Sequence, residues 1–341
     1  MLNIMSANNF YFYQNQKSNP MKKLTTKIQL ILFTALLAGF TSCSDDDDAG
    51  MITEESETIA DFVASEEEYS SLAEALDRTG LTATLDAEGT YTVFAPNNAA
   101  FEAYLGGTAV ADVPVEDLTQ ILLNHVLAVE ARASSLATGY VNNLATYADT
   151  DANLSMYINV DSDVVTINGG SELEGGANVT ATDFEFSNGI VHTVDAVIAL
   201  PTVATFAVAD PTFTQLETAL TADASFSFVN TLTSAGTFTV FAPTNDAFAD
   251  LLAELEISGF GDLDTSVLAV ALSLHVVNGA NVRVENLTTG TVTTLGGAIE
   301  VDASNATLTD ANGRVSTIVV TDVQASNGVV HAIDTVLLPG L

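Results

Sequence analysis

The chain has 341 residues, with 44 acidic side chains against eight basic ones and a formal net charge of −36 at pH 7. All the acids follow Cys43 and four lysines precede it, so the part after Cys43 holds four arginines, no lysine and a net charge of −40. Such a polyanion repels nucleic acid and anionic lipid, because phosphate binding needs clustered Lys and Arg. It also excludes a P-loop, which needs a lysine, and the single cysteine excludes an internal disulfide.

Residues 1–20 carry nothing recognisable, and Met21 reads as the true start. From there the chain runs MKKLTTKIQLILFTALLAGFTSC: a basic start at Lys22, Lys23 and Lys27, an apolar run from Ile28 to Phe40, then small residues before Cys43. This is a secretory signal over 21–43, too short in its apolar run for a comfortable membrane span. Cys43 sits where bacterial lipoprotein signals place the lipidated residue, with Phe40 standing for the usual Leu. A lipid there would anchor the chain to a membrane surface; the plainer reading is an ordinary signal with an incidental Cys. Ser44 followed by Asp45 to Asp48 opens an acidic tether over 44–56 without apolar period. The arrangement resembles the export tag of Bacteroidota-type lipoproteins, which implies a lipid-anchored place on the outer membrane, facing outward. The alternative is a charged linker.

Beyond the tether the chain repeats itself. YTVFAPNNAAF from Tyr91 and FTVFAPTNDAF from Phe238 share eight of eleven residues at an offset of 147. TIADFVASEEEYSSLAEAL from Thr58 aligns without gaps to TVATFAVADPTFTQLETAL from Thr202, LLNHVL around His125 answers LSLHVV around His275, and NGIVHTVDAVIALP from Asn188 answers NGVVHAIDTVLLPG from Asn327. A period this long means two whole domains, over 57–201 and 202–341, each able to bury its own core.

Helical spacing of apolar residues predicts helices over Ser70–Leu76 and Phe213–Leu220, with Glu66 to Glu68 and Asp210 favourably ahead of them. Tyr91–Ala95 and Phe238–Ala242 read as short strands stopped by Pro96 and Pro243. Asn97 and Thr244 should cap helices whose first turns bury Phe101, Leu105, Phe248 and Leu251. The second half of each repeat reads as strands and tight turns, with Val164–Ile167, Ala298–Val301 and Val315–Val320 among the strands.

The repeated blocks resemble the fasciclin-like domain family, whose members carry a TVFAPT-N-AF segment, a central L-x-x-H-V-V segment and a closing N-G-x-x-H-x-I-D-x-V-L-L-P strand in this order. The second half matches nearly letter for letter. The first departs at Asn97, where Thr is usual, and at Ile198-Ala199 in place of Leu-Leu. The resemblance covers Thr53 to Leu341. It implies an α+β fold of two tandem domains, each a β-sandwich or wedge of short strands packed with several α-helices, and is far less specific for activity.

The chain's four histidines, His125, His192, His275 and His331, form one matched pair per repeat. His192 shares a strand face with Val194, Ala196 and Ile198, and His331 with Ile333 and Leu337, which predicts half-buried rings bonded locally. Asp195 and Asp334, three positions on, point to the opposite strand face and are poor orienting partners for them. The sequence holds no G-x-S-x-G elbow and no H-E-x-x-H helix. Asp149 to Asn153 opens like a calcium loop, but Leu154 replaces its glycine and Val160 its closing glutamate. Surface carboxylates would allow only weak calcium binding, and no cofactor or dedicated metal site is expected. Asp161 to Asp163 reads as a turn. Gly169-Gly170, Gly175-Gly176, Gly296-Gly297 and Asn312-Gly313 read as hairpin connections, since Glu172 and Glu174 would repel a phosphate.

The expected function is therefore contact: a surface lipoprotein that adheres to extracellular matrix, polysaccharide or a cell-surface protein. The resemblance links the closing N-G-x-x-H segment to adhesion, which marks Asn327, Gly328, His331 and Asp334 as candidates for partner contact. Two alternatives stand beside it. An extracellular polymer hydrolase or lyase would place His125 or His275 in an open polar cleft, and a ligand-free spacer would show two well-packed domains without a concave or apolar patch.

Overall fold

The computed structural model describes residues 57–340 apart from 149, 163 and 172–174. The signal segment, Cys43, the tether and the acids Asp149, Asp163, Glu172 and Glu174 lie outside the described residues. The first repeat runs α1 (Ile59–Ser65), α2 (Ser70–Thr79), α3 (Thr82–Asp86), β1 (Tyr91–Pro96), α4 (Asn98–Leu105), α5 (Val115–Leu123), β2 (Val126–Leu127), β3 (Gly139–Thr146), β4 (Asn153–Asp161), β5 (Val164–Ile167), β6 (Ala177–Phe186) and β7 (Gly189–Val194). The second runs α6 (Val203–Ala209), α7 (Thr214–Leu220), α8 (Phe228–Thr233), β8 (Phe238–Pro243), α9 (Asn245–Glu254), α10 (Thr265–Leu274), β9 (Val276–Asn278), β10 (Gly290–Thr294), β11 (Gly297–Asp302), β12 (Thr307–Thr309), β13 (Val315–Ala325) and β14 (Gly328–Ile333). Among the described residues no helix is long and apolar enough to cross a membrane.

Each repeat forms one seven-stranded sheet. The orders β2-β1-β7-β6-β5-β4-β3 and β9-β8-β14-β13-β12-β11-β10 are the same topology twice. The first strand of each repeat pairs in parallel with its last, β1 with β7 and β8 with β14, and the other pairings are antiparallel. Register shifts in β6 against β7 and in β13 against β14 bend each sheet at a bulge. Alternation along β1 then feeds two cores. Val93 and Ala95 face the helices with Ile59, Leu72, Phe101 and Leu118, whereas Phe94 faces the wedge interior with Met156, Ile158 and Ile167. In the second repeat Val240 and Ala242 face the helices and Phe241 the wedge.

The family segments acquire physical reasons here. Asn97 and Thr244 cap α4 and α9 by accepting from the Ala100 and Ala247 amides at 2.9 and 3.3 Å. The next residues, Asn98 and Asn245, tie those helices to the start of α2 and α7: their Oδ1 atoms accept from the Ser71 and Gln215 amides, both at 2.9 Å, and their Nδ2 atoms donate to the Glu67 and Pro211 carbonyls. In the closing segments Asn188 and Asn327 are enclosed, each bonding the first residue of α1 or α6 and two carbonyls further along. Gly189 and Gly328 follow at φ +151° and +156°, where a Cβ would meet the Tyr91 or Phe238 carbonyl oxygen at 2.1 or 2.2 Å. Only glycine lets the parallel strands approach there.

Gly169-Gly170 and the Asn312-Gly313 step lie between strands as hairpin connections, Gly296 leads into Gly297 at the start of β11, and Asn153 to Asp161 is strand, so the calcium-like spacing runs into β4 from Asn153 on. The repeats meet where the first presents β3 and β4 to α6 and β13. Tyr140 Oη donates to Asp210 Oδ2 at 2.8 Å, its ring meets Phe206 edge-on at 5.5 Å, Tyr157 joins the second repeat's core, and the Gln324 amide donates to Ser155 Oγ at 3.0 Å.

Candidate functional site

The four histidines are the only side chains that the sequence marks for possible acid–base chemistry, and all are enclosed, at 0 to 3% exposure. His125 follows α5. Its Nδ1 donates to the Ile121 carbonyl at 2.7 Å and its Nε2 accepts from the Ile198 amide at 2.9 Å. His275 repeats this with the Ala271 carbonyl at 2.7 Å and the Leu337 amide at 3.0 Å. Each ring joins the end of a helix to the closing segment of its domain.

His192 and His331 use the opposite tautomer. Their Nε2 atoms donate to the Ala131 and Val282 carbonyls at 2.8 and 2.9 Å, and their Nδ1 atoms accept from the Asp183 and Asp322 amides, both at 3.2 Å. Phe94 and Phe241 cover one side of these rings at centroid distances of 5.6 and 5.7 Å. The sequence reading expected half-burial and local partners. The rings are instead fully enclosed, and Ala131 and Val282 are distant in sequence, because β7 and β14 are central strands with a core behind them. In all four rings one nitrogen donates to a carbonyl and the other accepts from an amide, an arrangement only neutral imidazole satisfies. Burial accordingly pushes His125 and His275 down to about 4, the carbonyl bonds opposing it, and lowers His192 and His331 by the same cause.

Sequence reasoning missed Asp183 and Asp322. Both sit in the bulges at φ +63° and +59°, their amides serve the histidines, and their carboxylates accept from the Ala133 and Val284 amides, both at 2.8 Å. The available signal was a Thr-Asp step nine residues before each histidine in both repeats. Asp195 and Asp334 bond the Asn178 and Thr317 amides, both at 2.7 Å, so neither orients a histidine.

Of the residues singled out for partner contact, Asn327, Gly328 and His331 are enclosed in or beside β14, flanked by β13 and β8, and only Asp334 meets solvent. The cavity beside His275, about 120 Å³ beneath α9 and α10, is otherwise lined by apolar side chains alone. Among the described residues no cluster of three His, Cys, Asp or Glu side chains could hold a metal ion. All four arginines make internal bonds: Arg78 to the Val110 and Val113 carbonyls, Arg132 to Glu185 and Glu130, Arg283 to Glu285 and Asp322, and Arg314 to Glu254.

Two α+β modules of one topology stand in tandem, with their enclosed histidines and asparagines tying strands to helices and loops. A model of the Fasciclin domain matches residues 67–201 and 211–339, and the chain belongs to that family. It is 37% identical over 152 residues to protein sll1483 of Synechocystis sp., covering 44% of this chain and 77% of that protein. It is 31% identical over 272 residues to transforming growth factor-beta-induced protein ig-h3 of Sus scrofa, covering 77% of this chain and 37% of ig-h3. The FAS1 domain pair of the insect cell adhesion molecule Fasciclin I aligns at 18% identity and a TM-score of 0.49 over 78% of this chain and 95% of that one.

Proposed function

We propose that the chain is a noncovalent contact protein of the cell exterior, which adheres to extracellular matrix, polysaccharide or a cell-surface protein. Fasciclin domains are modules of cell adhesion, and the chain carries two. The observation that most supports contact over catalysis is that the eight ring nitrogens of the four histidines are all engaged by backbone groups. That counts against a hydrolase or lyase built on His125 or His275. The reading places the chain on the outer membrane through a lipid on Cys43, supported by the signal and acidic tether in the sequence. Recognition would use loops and exposed residues such as Asp334, with the tether giving reach.

The test is a binding screen of the purified chain against matrix polymers, glycans and intact cells, with and without millimolar calcium. The proposal expects saturable binding, polymer length unchanged after incubation, and little calcium dependence. Absence of binding by folded protein would favour a spacer, and shortened polymer would favour the enzyme.

A further inference from the structure

The junction between the repeats is built from a face that occurs twice and is covered once. In the second repeat this face consists of Phe206, Phe213, Val323 and Ala325, all at most 4% exposed, with Asp210 at its rim. The first repeat's β3 and β4 cover it through Tyr140, Tyr157 and Ser155. The duplication places Phe62, Tyr69, Phe184, Phe186 and Glu66 at the same positions in the first repeat. There Tyr69 is buried in the repeat's own core at 7% exposure, but no strand pair among the described residues lies over the others: Phe184 is 40% exposed, Phe62 and Phe186 are half-buried and Glu66 is exposed. Phe62 stacks against Phe184 at 6.2 Å and leans on Phe186 at 4.9 Å, so the open face is a more aromatic version of the covered one.

We propose that this face docks a fasciclin-type module of another protein, one that presents two tyrosines on a strand pair as β3 and β4 do here. The chain's own junction shows what the covered face accepts. Glu66 stands where Asp210 receives the Tyr140 hydroxyl and would receive the corresponding hydroxyl of the partner. The same chain is a poor occupant. At the positions of Tyr140, Tyr157 and Ser155 the second repeat carries Thr291, Glu300 and Ala298, all exposed, with Glu300 accepting from Thr291 at 2.6 Å. Docked head to tail, Glu300 would be buried against phenylalanines and faced by Glu66 to Glu68 and Glu185. Two open faces apposed would bring those same acids together. The partner therefore has an aromatic centre and a neutral or basic rim. Because the two faces of such a contact differ, it leads along a line of modules rather than to a closed dimer.

This inference names a partner for the contact role proposed above and rests on it, but its test reads association of this chain alone and is independent of any matrix ligand. A full-length donor carries Thr291→Tyr, Ala298→Ser and Glu300→Tyr, with its own acceptor face blocked by Phe184→Glu. The unaltered chain is the acceptor. Light scattering should find each alone monomeric at tens of micromolar and the mixture forming a one-to-one complex of doubled mass, absent when the acceptor also carries Phe184→Glu. A donor with only Thr291→Tyr and Phe184→Glu, which leaves β11 intact, should bind more weakly at the same face. A mixture that stays monomeric with both donors folded by circular dichroism would overturn the proposal. So would a complex that persists with the blocked acceptor, or self-association of the unaltered chain through Phe184.

Discussion

At the level of single residues, the neutral histidines make stability depend on pH in a defined direction. The unfolded chain protonates His near 6.5, while the folded chain resists until about 4 at His125 and His275. The unfolded state therefore binds more protons below 6.5, and stability present at neutral pH is lost as the pH falls through that window. Between pH 7 and 5 the loss should be about 2 kcal/mol for each of these two residues. Urea unfolding at the two pH values measures the loss, and His125→Asn or His275→Asn should remove that residue's share of the slope. The placement of His192 and His331 on apolar strand faces was readable from the sequence. Their bonding was not: Ala131 and Val282 come from loops whose course no periodicity reports, and Asp183 and Asp322 act through a bulge that breaks the two-residue period on which strand reading rests.

At the level of elements, the Asn-Gly steps that open β7 and β14 do unlike work from the Asn-Gly step that ends at Gly313. Gly313, at φ +77°, has open space where a Cβ would go, so Gly313→Ala should cost about 1–2 kcal/mol for the left-handed backbone alone. Gly328→Ala drives a methyl into the Phe238 carbonyl of the one parallel pairing in its sheet, and should cost about 3 kcal/mol or more. Thermal unfolding of the two variants compares them, and equal losses would contradict this account of the N-G-x-x-H segment. Local chemistry made several elements legible in advance: the caps at Asn97 and Thr244, the stops at Pro96 and Pro243 and the strand Val164–Ile167 all stand where the sequence places them. The parallel closure of first strand on last was not legible, since it joins Tyr91 to Gly189 and Phe238 to Gly328, far apart in sequence with no local signal.

At the level of the whole molecule, the duplication determines more than domain count. It supplies an internal comparison in which the four histidines, Asn188 and Asn327, and Asp183 and Asp322 recur with matched partners, and in which one hydrophobic face appears once covered and once open. The net charge of −40 after Cys43 spreads over both repeats, and every arginine is engaged internally, so no basic surface offsets it. The central claim is that these modules hold their four histidines as neutral cross-ties and act by contact. Nitrogen NMR of the imidazole side chains across pH 5 to 8 tests it most directly. Neutral cross-ties give Nδ1-protonated rings at His125 and His275, Nε2-protonated rings at His192 and His331, and no titration of His125 or His275 above pH 5. A ring at either of those positions that titrates near 6.5 and exchanges freely with water would contradict it and restore the case for an acid–base site.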